Sequence, residues 1–305
     1  MRALFNNYTL WFGTEFVNLY RDDNEKGLED DNEKSGLRRT SLKTSTHTEL
    51  CRLHIKYFFY TSDKVKSPDY NDQEENSKRG FMTKIILAFE TSTSVCSAAI
   101  WGEGEVMAHE QESIGYGHAS SLFNFVKNVS QKARVPLEYI NHVAVTRGPG
   151  SFTGVRVGLA AARGFSLAGN LPVLGMTTFD LLAYTAKKQS KEDRPKIVVM
   201  DTKRGDLYTA FYDVGQDLPS HTKISKPEDL QAHVEPYKKS YTPIQIIGDG
   251  AAKLEVDYKW PLNVEFFPLL PNAANLAEAA AYFNTNDSYP FSSEPFYLRP
   301  PKVYE

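Results

Sequence analysis

The chain has 305 residues, 41% of them hydrophobic, and a formal net charge of −3, so it can bury a sizeable core in two domains. The near-neutral charge argues against a large independent surface for nucleic acid, because such surfaces are strongly basic. The apolar runs are far shorter than the roughly 20 residues of a spanning helix, and Cys51 and Cys96 provide neither a disulfide framework nor a thiolate metal site. We therefore expect a globular cytoplasmic protein without a membrane segment.

Residues 1–81 differ in composition from the rest. Acidic and asparagine-rich tracts at 21–25 and 29–33 precede a short apolar patch at 55–60 and a second polar tract at 67–80. Such a segment cannot easily bury enough apolar area to offset its chain entropy. We expect either a disordered extension or translation that begins at Met82, and we favour the second. A protein without residues 1–81 should then fold and function normally.

From Met82 the pattern predicts an α/β domain over residues 82–190. Three strands open it, and a helix, a strand, a helix, a strand and a helix follow. The predicted strands are 85–90, 96–101, 105–109, 142–146 and 173–176. The predicted helices are a helix that starts near His118 and ends before Pro136, then 153–168 and 178–187.

Residues 191–305 predict a smaller second domain that weakly repeats the first. Its predicted elements are strands at 196–201, 207–213 and 244–247 and helices at 227–234 and 272–283. The proline-rich segment 294–303 is predicted to pack back in extended form. The element order resembles that of the actin-like ATPase (ASKHA, ribonuclease H-like) superfamily, in which two such α/β domains face each other across a nucleotide cleft.

A glycine-rich loop joins the strand at 142–146 to the next helix. It consists of Gly148, Pro149, Gly150, Ser151, Phe152, Thr153 and Gly154. Glycines let backbone amides approach a ligand, and a helix N-terminus attracts anions, so the loop is a candidate phosphate cradle. However, no lysine follows Gly154 as in a Walker A sequence, and the glycine spacing misses the dinucleotide pattern by one residue. A purely structural loop and a phosphate site both stay open, and we favour the first.

Several motifs resemble those of the TsaB (YeaZ) family from Met82 to the C-terminus. They are Glu90-Thr91-Ser92, the stretch 145–158 around the glycine loop, 172–179, Asp201-Thr202-Lys203-Arg204 with Tyr208, and 295–300. The resemblance implies the dimerization subunit of the bacterial complex that forms N6-threonylcarbamoyladenosine next to the anticodon of tRNAs reading codons that begin with A.

The same resemblance implies the partners. They are the transferase TsaD and the ATPase TsaE, with a homodimer in the absence of TsaD and with tRNA reached only through the complex. It implies an accessory subunit that is not itself an enzyme and that has no catalytic residue, cofactor or metal.

The catalytic sibling TsaD shares the glycine loop but carries a metal-binding histidine pair at i, i+4 after the following strand. Thr178 and Leu182 stand at these positions here. Leucine has no donor atom, and threonine is a poor ligand for transition metals. The seven histidines also contain no His-x-x-x-His or His-Glu-x-x-His pair, so no metal site is expected.

The family pairs its subunits through the helix near His118 and the helix after the glycine loop. The resemblance therefore implies these interface residues: His118, Ser121, Leu122, Phe125, Arg156, Leu159 and Arg163. A charged residue at Leu122 or Leu159 is predicted to abolish pairing and leave the fold intact. The small residues along the second helix, Gly154 and Gly158 among them, have an alternative role, which is tight packing on the chain's own sheet.

Other functions stay open at this point. One is an independent ATP-dependent small-molecule kinase or carbamoyltransferase that uses the interdomain cleft, and another is a simple homodimeric binding protein. The polar residues Asp201, Lys203 and Arg204 are predicted to form a hairpin turn, and Tyr297 and Arg299 are predicted to dock the C-terminal tail on the core.

Overall fold

The computed structural model describes residues 84–113, 118–190, 192–235 and 243–299, without the side chains of residues 118 and 119. The expectation for residues 1–81 lies outside the described residues and stays a prediction. None of the described helices is both long and apolar enough to cross a membrane.

The first sheet has five strands in the order β3-β2-β1-β4-β5. They are β1 Ile86–Glu90, β2 Val95–Gly102, β3 Glu105–Ser113, β4 His142–Thr146 and β5 Val173–Met176. The pairs β1–β2 and β2–β3 are antiparallel, whereas β1–β4 and β4–β5 are parallel. The central strand β1 is buried along its whole length, as its apolar run from Ile86 to Phe89 predicts.

The second sheet repeats this topology in the order β8-β7-β6-β9-β10. Its strands are β6 Lys196–Asp201, β7 Leu207–Tyr212, β8 His221–Ser225, β9 Ile244–Ile247 and β10 Val264–Phe267. Again three strands pair antiparallel, and the two crossover pairs are parallel. The predicted fold class, two α/β domains of the actin-like ATPase type, is confirmed.

Within the described residues, six α-helices cover the two sheets. They are α1 His118–Ala133, α2 Phe152–Gly169, α3 Thr178–Gln189, α4 Pro227–Val234, α5 Ala251–Asp257 and α6 Ala273–Thr285. Alternate residues of β1 face opposite sides: Phe89 packs with α1 and α2, and Ala88 packs with α6. Helix α3 packs against the second sheet, and α4 and α5 cover the opposite face of that sheet.

Three elements of the second half were not predicted, namely β8, α5 and β10. Strand β8 is largely exposed or half-buried and carries no clear apolar pattern, whereas β10 is apolar at three positions but has only 4 residues. Helix α5 has only 7 residues, too few for a helical period to stand out.

Helix α6 packs against the first sheet although its sequence belongs to the second predicted domain. The core of the first sheet is therefore completed by a segment from the second half of the chain. The domain boundary between residues 190 and 191 stays a prediction.

Candidate functional site

The glycine loop, residues 148–154, connects β4 to α2 beside the turn that follows β1. Ser151 caps α2, because its Oγ accepts a hydrogen bond of 3.2 Å from the Gly154 N–H. The predicted order of strand, loop and helix N-terminus is therefore confirmed.

The loop is packed against the chain's own backbone. A Cβ atom on Gly150 would lie 2.1 Å from the Ser92 carbonyl oxygen, and one on Gly154 would lie 1.9 Å from the Thr91 carbonyl oxygen. The Ser151 N–H donates to the Ser92 oxygen over 2.6 Å. Carbonyl oxygens are acceptors with partial negative charge, so they disfavour an anion at this place. The close approach of two backbones explains the glycines without a ligand.

A C-terminal segment, residues 292–299, lies on the other side of the loop, and we call it the strap. The Phe296 N–H donates to the Arg147 oxygen over 2.7 Å. A Cβ on Gly148, where φ is +99°, would lie 2.7 Å from the Phe296 oxygen. The prediction that the tail packs back on the core is confirmed for residues 294–299, and residues 300–303 lie outside the described residues.

Glu90, the first residue of the Glu90-Thr91-Ser92 motif, is a buried carboxyl group at the end of β1 to which sequence reasoning gave no role. Its Oε1 accepts hydrogen bonds from the Ser92 N–H and hydroxyl, at 2.6 and 2.5 Å. Its Oε2 and the hydroxyl of Thr146 are buried without a hydrogen-bond partner among the described residues. Burial raises the pKa of Glu90 above its usual value, and the polar groups of Ser92 and Thr146 beside it offset this only in part. A protonated Glu90 fits this surrounding.

A second buried carboxyl group, Asp180 of α3, joins three parts of the chain. It accepts hydrogen bonds from the hydroxyls of Tyr212 on β7, at 2.6 Å, of Tyr289 after α6 and of Thr177. Burial raises the pKa of Asp180, and burial followed by the adjacent Asp180 raises the pKa of Tyr212 and Tyr289. No sequence pattern indicated this network, because Tyr212 and Tyr289 are far from Asp180 along the chain.

Thr178 and Leu182 stand where the sibling TsaD family has its histidine pair. The Thr178 hydroxyl donates to the Ser92 hydroxyl over 3.1 Å, and Leu182 is buried in the core beside the second sheet. Among the described residues, no group of three or more histidine, cysteine, aspartate or glutamate side chains could hold a metal ion.

Three of the predicted interface residues are in the core. Leu122, Phe125 and Leu159 are buried between the first sheet and helices α1 and α2. A charged residue at Leu122 or Leu159 would be desolvated there, so the prediction that such a change leaves the fold intact is wrong. Apolar residues at helical spacing mark the inner face of each helix, and these three side chains lie there.

The remaining predicted interface residues lie differently. Ser121 is half-buried, and His118 begins α1 while its side chain lies outside the described residues. Arg156 and Arg163 are exposed on α2 and are held by the strap. The Arg156 guanidinium lies 3.8 Å from the centre of the Phe152 ring, and its Nε donates to the Tyr297 hydroxyl over 3.2 Å. Arg163 donates to the Ser293 oxygen at 2.8 Å and to Glu294 at 3.0 Å.

Large apolar side chains lie exposed on the outer sides of α1 and α2. Phe123 is 43% exposed, and Phe152 and Leu167 are each 41% exposed. Sequence reasoning did not single out Phe123 or Leu167. With 3.6 residues per turn, Phe123 is turned about 100° away from Leu122, which is the signal that separates the outer from the inner face. We call Phe123, Phe152, Arg156, Arg163 and Leu167 the outer set.

The family model and the curated relatives that match this chain all concern the threonylcarbamoyladenosine of tRNA. A family model described as TsaD, tRNA N6-adenosine threonylcarbamoyltransferase, matches residues 112–283. The tRNA threonylcarbamoyladenosine biosynthesis protein TsaB of Buchnera aphidicola subsp. Schizaphis graminum is 30% identical over 202 residues, 64% of this chain and 92% of the relative. The protein of the same description from Escherichia coli K12 is 36% identical over 154 residues, 49% of this chain and 66% of the relative. Among solved structures, YeaZ from Pseudomonas aeruginosa is 25% identical with a TM-score of 0.60, and the match covers 70% of this chain and 100% of that chain.

Proposed function

The chain belongs to the TsaB (YeaZ) family, with a role in the biosynthesis of tRNA threonylcarbamoyladenosine, and we propose that it acts there as a non-catalytic subunit that binds and activates the transferase TsaD. TsaE is the third, ATP-hydrolysing member of the proposed complex. The tRNAs are those that read codons beginning with A, and tRNA reaches this chain only through the complex.

One observation carries the proposal: the chain's own backbone fills the space around the glycine loop. The carbonyl groups of Thr91 and Ser92 lie on one side of the loop, and Phe296 lies on the other. A loop closed in this way supports a structural use, in which its main task is to start and cap α2. Helix α2 in turn presents four of the five residues of the outer set, so the loop serves an interaction surface rather than a reaction.

The binding surface of the proposal is the outer set on α1 and α2, together with Ser121 and His118. Exposed aromatic and arginine side chains are the residue types that contribute most binding energy at protein interfaces. The same surface would pair two copies of this chain when TsaD is absent, because a two-fold interface uses one patch twice. Activation follows if this surface binds the competent state of TsaD more tightly than the idle state.

Co-purification with TsaD from the same organism tests the surface. Phe123→Glu and Leu167→Glu each place a charge in the proposed contact, and we expect each to weaken binding at least about tenfold, since a buried large apolar side chain contributes about 1.5–3 kcal/mol. Val256→Glu is the matched control, because Val256 is 83% exposed on α5, away from the outer set.

Two results would contradict the proposal. One is TsaD binding that survives both outer-set changes, and the other is loss of binding by the control alone. The rival function, an ATP-dependent kinase or carbamoyltransferase, is tested by calorimetry with ATP and magnesium. Tight stoichiometric binding with turnover by the isolated chain would favour that rival.

A further inference from the structure

The strap, residues 292–299, contacts elements that belong to both sheets. At its first end, the Ser292 N–H donates to the Gly175 oxygen of β5 over 3.0 Å. The Ser292 oxygen is so close to β5 that a Cβ on Gly175 would lie 1.8 Å from it. Backbone therefore lies directly on backbone at this anchor, where only glycine fits.

The middle of the strap is apolar and lies between the glycine loop and the second sheet. The Phe296 ring centre is 6.5 Å from that of Phe179 on α3 and 5.5 Å from the Arg147 guanidinium. Phe296 and Leu298 pack on the buried cluster that contains Met200 of β6 and other residues of the second sheet. The strap thus shares one apolar contact region with both halves of the chain.

The far end of the strap is an ion pair on the second sheet. The Arg299 guanidinium donates to the carboxylate of Asp206 in the turn between β6 and β7. Asp206 also accepts a hydrogen bond from the Thr202 hydroxyl. The Thr202 hydrogen bond and then Arg299 lower the pKa of Asp206, so the carboxylate is charged at neutral pH.

The strap also fixes part of the outer set on α2. The Tyr297 ring centre is 5.5 Å from that of Phe152, and the Tyr297 hydroxyl accepts the hydrogen bond from Arg156. Glu294 pairs with Arg163. Each contact is partly exposed and weak by itself, so their persistence depends on how firmly the strap is held at its two ends.

We propose that the strap is a two-anchor clamp that holds the first and second sheets together and couples the second sheet to the surface of α2. When the Arg299–Asp206 ion pair is lost, the hydrogen bond between Phe296 and Arg147 and the ring contact between Tyr297 and Phe152 become less stable. The clamp is independent of the proposed function, because it concerns the isolated chain.

Hydrogen exchange on the full chain tests the clamp. The informative amides are that of Phe296, which donates to the Arg147 oxygen, and that of Thr178, which donates to the Gly148 oxygen over 2.8 Å. We expect Arg299→Gln to speed exchange at both amides about tenfold, as the loss of a partly buried charged hydrogen bond predicts. Exchange at the amides of β1 should not change. Arg204→Gln is the matched control, since Arg204 is exposed and lies two residues before Asp206.

If Arg299→Gln also speeds exchange in β1, that variant has disturbed the whole fold and a second variant is needed. Asp206→Asn serves this purpose, because it removes the other partner of the same ion pair. Faster exchange at Phe296 and Thr178 in Asp206→Asn supports the clamp. Unchanged exchange at both amides, with effects confined to the neighbourhood of residue 299, overturns it. An equal effect of Arg204→Gln overturns it too, because a change of surface charge alone would then explain the result.

Discussion

At the scale of single residues, the described structure places two carboxyl groups in its interior. Glu90 and Asp180 are both buried, and burial raises the pKa of each. They differ in how well their oxygens are satisfied. Asp180 accepts three hydroxyl hydrogen bonds, whereas Glu90 Oε2 has no partner among the described residues. Glu90 is therefore the costlier of the two when charged.

Replacing Glu90 by glutamine should stabilise the protein at neutral pH. Because the folded pKa of Glu90 is raised, its favourable contribution is complete below the unfolded pKa of about 4.3 and is lost as the pH rises through the folded pKa. Glutamine keeps an acceptor for Ser92, offers a donor towards Thr146 and does not titrate. We expect Glu90→Gln to gain about 1 kcal/mol in unfolding free energy at pH 8 relative to the unaltered protein, and less at pH 4.

Urea unfolding at both pH values measures this difference. Asp180 is the same in both proteins, so its own titration cancels in the comparison. A Glu90→Gln protein that is less stable at pH 8 than at pH 4, relative to the unaltered chain, would show that Glu90 is charged and well solvated in the fold.

The helices α1 and α2 each have a buried inner face and an outer face with exposed apolar side chains. The inner faces hold Leu122 and Leu159 in the core, and the outer faces expose Phe123 and Leu167. The start of α2 also packs on the turn after β1, where Gly154 meets Thr91. The small residues of α2 therefore serve the chain's own packing at this point, as the alternative interpretation of their pattern held.

Gly154→Ala should destabilise the fold although alanine favours helices. Alanine normally gains about 1 kcal/mol over glycine inside a helix. Here its Cβ would lie 1.9 Å from the Thr91 carbonyl oxygen, which belongs to backbone and cannot turn aside. We expect a net loss of about 2 kcal/mol or more in unfolding free energy.

Ala160→Gly, at an exposed site of the same helix, is the control and should lose about 1 kcal/mol from propensity alone. Thermal or urea unfolding of both variants measures the losses. A Gly154→Ala protein as stable as the unaltered chain would mean that the turn at Thr91 moves freely away from α2, and the loop would then be open to other uses.

The sequence predicted elements well where one pattern dominated. The apolar run from Ile86 to Phe89 and the strand before the glycine loop are both confirmed as strands. Sequence patterns missed β8, which is largely exposed or half-buried, and β10, which has only 4 residues. For the candidate site, three of the predicted interface residues, Leu122, Phe125 and Leu159, lie on the inner faces of α1 and α2, because apolar periodicity reports burial in the chain's own core. The contacts of Asp180 and of the strap join residues far apart in sequence, and no local pattern encodes them.

In the described part of the chain, one strand order occurs twice, and α3, α6 and the strap each contact elements of both halves. Helix α6 completes the core of the first sheet. The strap contacts Gly175 of the first sheet at one end and Asp206, next to the second sheet, at the other. The second half of the chain thus supports the part that carries the outer set. This arrangement suits a subunit whose proposed task is to present a firm surface to a partner.

The most direct test of the central claim is a reconstituted modification assay with TsaD, TsaE, a threonylcarbamoyl-adenylate and a tRNA that reads codons beginning with A. We expect threonylcarbamoyladenosine to form in tRNA only when this chain is added, at least about tenfold less with Phe123→Glu or Leu167→Glu, and normally with Val256→Glu. Equal product with and without the chain, or full activity of both outer-set variants, would contradict the account.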